Sequence, residues 1–191
     1  SWAVGDAKVM TINGADYQID IIGKNHDTYA DGGTAPLTFQ LHDCYEQMYA
    51  MNAESTNDGG WTNCKMRNTY LPAIKVLMPV EVQAALRKVK KKTSAGNMSN
   101  IINTTNDDLF LLSEIEIYGI DIYSFSGEGN GYAYYRDGGM TTKMVLGEAS
   151  VWGERSPHSG SDVSFCRVNA NGDPTFYSAR FGRGVSFAFC F

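Results

Sequence analysis

Apolar and polar positions alternate near the start of the chain. In "KVMTINGADYQIDIIG" (8–23), Tyr17, Ile19 and Ile21 fall on one face of a period-two pattern, and Asn13-Gly14 supplies a tight turn. The stretch predicts a two-stranded hairpin. "PLTFQLHDC" (36–44) predicts another short strand or extended piece. The spacing then lengthens. "DGGW" (58–61) reads as a turn, Thr62 as a cap, and "NCKMRNTYLPAIKVLM" as a helix that kinks or splits near Leu71, because Pro72 falls inside it. After Pro79 a second, shorter helix is predicted from Val80 to about Lys92, with Val82, Ala85, Leu86 and Val89 along one face.

The second half is rich in turn residues. "TSAGNMSNIINTTND" (93–107) is polar and predicts a loop; its Asn97 and Asn103 tripeptides match the glycosylation pattern, a weak signal by itself. "LFLLSEIEIYG" (109–119) passes from a continuous apolar run to alternation, as in a strand leaving the core for an edge, and Glu114 and Glu116 read as solvated edge residues. Residues 120–150 predict long irregular structure, where binding surfaces commonly sit. Beyond Trp152, three short strands are predicted at about 162–169, 174–180 and 185–191, with Val185, Phe187, Phe189 and Phe191 on one face. A core strand at that end would pair well with one from the beginning. The pattern as a whole is mixed α+β with two helices and no internal repeat.

Composition narrows the classes. A chain of 191 residues, 43% hydrophobic and 19% charged, suits one folded domain with a real core. A net charge of −5 gives no field that attracts nucleic acid or anionic membranes. The one basic run, Arg87 to Lys92, reads as a solvated helix end. No run nears the ~18 apolar residues of a membrane span. The chain opens on "SWAVGD" with no initiator Met and no signal peptide, so a domain excised from something longer, or a processed product, is expected.

Candidate chemistry is sparse. The three histidines, His26, His42 and His158, and the four cysteines show no metal-ligand spacing, so neither metal nor cofactor is expected. Cys166 and Cys190 read as buried thiols or one disulfide. His42, Asp43 and Cys44 are adjacent and so point to alternating sides of an extended chain, which prevents a triad among them. "GEGNG" (127–131) lacks the strand and helix of a phosphate loop, and "NANGD" (169–173) fits a hairpin turn at Asn171-Gly172 better than a calcium loop. No enzyme site assembles.

The segment 159–191 is different. Phe165, Cys166, Val168, Gly172, Ala179, Gly184, Val185, Phe187 and Phe189 look like a frame, and between them stand Val163, Ser164, Arg167, Asp173, Thr175, Phe176, Tyr177, Ser178, Phe181 and Arg183. Aromatics with Ser, Thr, Asp and Arg make a mixture like that of an antibody paratope. Lys, Glu, Gln, Met and Trp account for 32 of the 191 residues, yet none lies in 155–191, where roughly six would be expected at the chain-average rate. Those five are the amino acids that codons ending in a pyrimidine cannot encode. Every interleaved residue is reachable from an Asn codon by changing only its adenines.

W-x-x-R-S-P (152–157), F-C-x-V-N-x-N-G (165–172) and A-x-x-x-x-G-V-x-F-x-F-C (179–190) resemble the variable proteins of diversity-generating retroelements, and a related domain family of unassigned function in gut-type bacteria and their phages. "VGD", "IIGKNHD", "LTFQLHDC", "MN…GGW", "MRNTYLPAI" and "LFLLSEIEIYG" extend the likeness over nearly the whole chain. The resemblance implies a single C-type-lectin-like domain over 1–191, in the branch shared with formylglycine-generating enzymes, with adjacent terminal strands and a variable region at about 155–191. It implies that the ten interleaved residues, less securely joined by Asp162 and Arg180, are rewritten by error-prone reverse transcription and contact a protein or glycan receptor. A phage tail tip or a bacterial surface is then the expected location; a structural or decoration module of a virion or envelope is the alternative, and a homo-oligomer is compatible with either. The lectin calcium motifs and the enzymes' catalytic cysteine arrangement are missing, so those activities do not carry over.

Overall fold

The computed structural model describes residues 2–191 and is mostly β, with 38% strand and 16% helix arranged as several sheets and a half-barrel. In chain order the elements are β1 (Ala7–Ile12), β2 (Ala15–Lys24), β3 (Leu37–Leu41), β4 (Tyr45–Tyr49), α1 (Gly60–Asn63), a π turn at Met66–Tyr70, α2 (Leu71–Lys75), α3 (Val80–Ala85), β5 (Val89–Ser94), β6 (Ile102–Asp107), β7 (Leu109–Phe110), α4 (Glu114–Tyr118), α5 (Ala133–Arg136), β8 (Lys143–Val145), β9 (Glu148–Ser150), β10 (Trp152–Pro157), β11 (Ser164–Val168), β12 (Pro174–Ser178), β13 (Arg183–Val185) and β14 (Ala188–Cys190).

Two five-stranded sheets carry the architecture, ordered β1-β2-β3-β14-β7 and β12-β11-β10-β13-β4. The first opens with the expected hairpin. Asn13 and Gly14 both take positive φ, 50° and 81°, the turn whose twist matches the strands it joins. β14 enters the same sheet between β3 and β7, pairing Phe189 with Phe39 and with Leu109. In the second sheet β10 is buried along its whole length, between antiparallel β11 and parallel β13. β12 pairs only with β11 and forms an edge.

The expected α+β, C-type-lectin-like architecture with two helices is corrected by this structure, whose described residues form only five short helices beside the strands. Each difference has a local cause. The run from Thr62 breaks because Cys64 is extended (φ −68°, ψ 152°); α1 begins at Gly60 with no side-chain cap, and Pro72 sits at the start of α2. The second helix stops at Ala85, and Val89 to Thr93 alternates buried with exposed. The basic run is therefore largely a strand, and Lys91 is buried, not solvated. The polar stretch expected as a loop supplies that strand's partner, β6. The strand expected over 109–119 ends at Phe110. Ser113 and Glu116 then form a reciprocal capping box that starts α4, and Glu114 and Glu116 are buried, not solvated. The region expected to be irregular holds α5 and the β8–β9 hairpin.

A charged network ties these elements together. Arg155 on β10 donates to both oxygens of Glu116 (2.5 and 2.9 Å), to the carbonyls of Leu111 and Glu128 (2.9 and 2.8 Å) and to Thr93 Oγ1 (3.0 Å). Lys91 bridges Glu116 and Asp27, each at 2.7 Å. Burial alone would raise the Asp27 carboxyl, but the Lys91 ammonium and its hydrogen bonds hold it at about 2. Each charge here has an opposite partner, the condition under which buried ions are tolerated.

Candidate functional site

On the edge strand β12 the neighbours Phe176 and Tyr177 point to opposite faces and both are exposed. Cross-strand partners share a face. Phe165↔Tyr177 and Arg167↔Thr175 lie on one, Ser164↔Ser178 and Cys166↔Phe176 on the other. The interleaved residues therefore form two clusters, not one surface. On the first, the Arg167 guanidinium lies 4.5 Å from the centre of the Tyr177 ring, and Tyr177 packs at 5.0 Å on Phe181 from the following loop, over which Arg180 lies at 4.9 Å. On the second, Phe176 packs on His158 at 4.0 Å and on Tyr123 at 5.1 Å.

Exposure sorts the ten residues. Phe176, Tyr177 and Phe181 are 39%, 44% and 41% exposed, high for aromatic side chains in ordered structure. Asp173 is exposed, with its N–H donating to Asn169 Oδ1 in the turn that joins β11 to β12, as the hairpin reading expected. Val163, Arg167, Thr175 and Ser178 are half-buried, and Ser178 shares a 2.9 Å hydroxyl contact with Ser55. Asp162 and Arg180 are exposed. Ser164 and Arg183 stand apart. Both are buried, so neither touches a ligand on this hairpin unless the backbone moves. Arg183 is drawn inside because its stem passes over Gly153, where a Cβ would lie 2.6 Å from Arg183 Cδ. Its Nη2 donates to the Ser178 carbonyl at 2.9 Å.

Sequence reasoning missed three flanking contributors, Tyr123, His158 and Ser55. Tyr123 lies in the long segment already singled out for binding, but nothing in its spacing points to Phe176. Burial, opposed by the Glu114 charge, lowers the His158 pKa, so the imidazole facing Phe176 is held neutral more firmly than a free one.

Behind the hairpin, Cys166 faces Glu154 on β10 and Glu114 on α4. All four cysteines are free, buried thiols, so Cys166 and Cys190 are not bonded. His42 Nδ1 lies 2.6 Å from Asp20. Burial pushes the Cys44 thiol up to about 12, which suits no nucleophile. Among the described residues no helix is long and apolar enough to cross a membrane.

The family comparison covers both the hairpin and its support. Residues 37–191 match the family described as "Domain of unknown function (DUF6273)", and the chain belongs to that family. No curated protein matches it, and no solved structure does.

Proposed function

We propose that the chain is a non-catalytic recognition module in which the β11–β12 hairpin and the 179–182 loop bind a protein or glycan receptor through side chains rewritten by a retroelement. The observation that carries this reading is the exposure of Phe176, Tyr177 and Phe181 on one edge strand and its adjoining loop. Aromatic rings contribute large contact area at low entropic cost, and arginines stacked on them add directional donors. The absence of Lys, Glu, Gln, Met and Trp from 155–191 supports rewriting, and the sheet supports it physically. The interleaved side chains lie mostly outside the core, while Phe165, Cys166, Val168 and Ala179 between them are fully buried. A phage tail tip or a bacterial surface suits such a module.

Two tests are direct. The neighbouring DNA should hold a near-repeat of the codons for 155–191 with Asn at the interleaved positions, beside a reverse transcriptase gene; a neighbourhood with neither removes the retroelement. The purified chain should bind a member of a glycan panel or an intact bacterial cell. Joint replacement of Phe176, Tyr177 and Phe181 by Ala should lower that binding at least tenfold with an unchanged melting temperature. Undiminished binding, or self-association lost in its place, turns the hairpin into a subunit contact of a structural module.

A further inference from the structure

Three side chains converge behind β11 without the partners that burial demands. Glu114, Glu154 and Cys166 are each 0% exposed, and one ligand-type atom from each lies within 4.8 Å of the other two. Both carboxylate oxygens of Glu154 lack a hydrogen bond, as does Oε1 of Glu114. Glu114 is nevertheless held firmly. Its Oε2 accepts from the N–H groups of Tyr123 and Ser124 and from the Ser124 hydroxyl, all at 2.8 Å. The nearby cation does not compensate, because Arg183 directs Nη2 to the Ser178 and Phe181 carbonyls, and its Nε and Nη1 have no partner either.

We propose that Glu114, Glu154 and Cys166 bind a divalent transition-metal ion of the zinc type, which clamps α4, β10 and β11 together. The set offers three ligand atoms, one each from Glu114, Glu154 and Cys166. Zinc sites with three protein ligands complete their tetrahedron with a water, and a thiolate among carboxylates favours zinc or cobalt over magnesium or calcium. Donors on one zinc ion lie roughly 3–4 Å apart, so small side-chain rotations close a set already within 4.8 Å. The three donors to Glu114 Oε2 do what outer partners of metal ligands do, fixing the carboxyl so that its second oxygen stays available.

Charge agrees. Two carboxylates and a thiolate carry −3, and the divalent ion with the Arg183 guanidinium brings the pocket to zero. Protonating Glu154 also removes charge and lets its O–H donate to Glu114 Oε1, but it leaves the other Glu154 oxygen and Arg183 Nε and Nη1 unpaired, so the cost of desolvating those atoms stays. Glu128, Arg155, Tyr118 and His158 surround the group. Glu128 and Arg155 are already satisfied by Ser156 and Glu116, and Tyr118 donates to the Gly172 carbonyl at 2.9 Å. The ligands come from three separate regions of the chain, so no motif spacing announces them. The site stands independently of receptor binding.

Because the ligands are fully buried, the ion enters during folding. The chain is unfolded in denaturant with chelator and refolded with Zn2+, with Co2+, or with chelator alone. Stoichiometric zinc, a higher melting temperature than in chelator, and a thiolate-to-cobalt charge-transfer absorption are expected. Cys166→Ser should abolish that absorption. Glu154→Gln, nearly isosteric, should weaken zinc binding by at least about tenfold while retaining the circular dichroism of the metal-free wild type. A wild type that refolds without retaining either metal overturns the proposal, as does a cobalt spectrum unchanged in Cys166→Ser.

Discussion

Glu154 and Arg155 are consecutive residues of β10, both fully buried and both ionisable, yet they live in opposite circumstances. Arg155 makes a two-pronged contact with Glu116 and reaches four backbone or hydroxyl acceptors besides. Glu154 reaches nothing. Burial, reinforced by Glu114 and Glu128, raises the Glu154 carboxyl well above the usual range, whereas the charges of Arg155 and Lys91 overcome burial and lower Glu116. The lesson is that burial alone does not classify a charge. A buried group with a complete partner set keeps its charge and holds elements in register, and one without partners is pushed toward its neutral form.

The comparison can be broken most severely at Arg155. Arg155→Met should cost about 3–5 kcal/mol, since it strands Glu116 with Lys91 as its remaining cation; urea unfolding measures this. A loss below about 1 kcal/mol would place the network's strength elsewhere.

A smaller effect separates Glu128, which lies between the two groups. Burial raises its carboxyl from 4.5 to about 7. The native state thus holds a proton that the unfolded chain releases. The resulting stability is complete below pH 4.5 and is lost as pH rises through about 7. Glu128→Gln should flatten the dependence of melting temperature on pH across that window. An unchanged slope would show that another group carries it.

Glu154→Gln in chelator should be milder still, within about 1 kcal/mol of wild type and of either sign, because no native hydrogen bond is removed. A cost equal to that of Arg155→Met would abolish the distinction between the two residues. Smallest of all, Tyr177→Ala should shift stability by less than about 1 kcal/mol while the Arg167 contact is lost. A larger loss in thermal unfolding would make Tyr177 part of the core.

Much of the hairpin half was legible in the residues. Asn13-Gly14 announces its turn, and the interleaving of Phe176, Tyr177 and Phe181 with buried Phe165, Cys166 and Ala179 separates surface from frame. The second helix misleads because its apolar periodicity continues past the point where the backbone leaves the helix. Val82, Leu86 and Val89 fit a helical face, but the chain turns extended at Leu86 (ψ 132°) and continues as a strand. Lys91 and Arg155 were illegible for a different reason. A charged residue suits solvent by default, and only the distant Asp27 and Glu116 make burial tolerable. The capping box was present as Ser113-x-x-Glu116, a signal obscured by the alternating isoleucines around it. Arg183 carried no local mark of burial at all; that depends on Gly153, thirty positions earlier.

The position of β14 sets a timetable for synthesis. β3 cannot acquire its second neighbour until Phe189 has left the ribosome, and Phe39 waits for it across 150 intervening steps of the chain. At ~5–20 residues per second that interval is on the order of ten seconds. Throughout it the apolar strand is open to misassociation, and such distant pairing is slow to find even once its partner exists. The β3–β14 pairing is therefore the long-range step on which completion of that sheet depends.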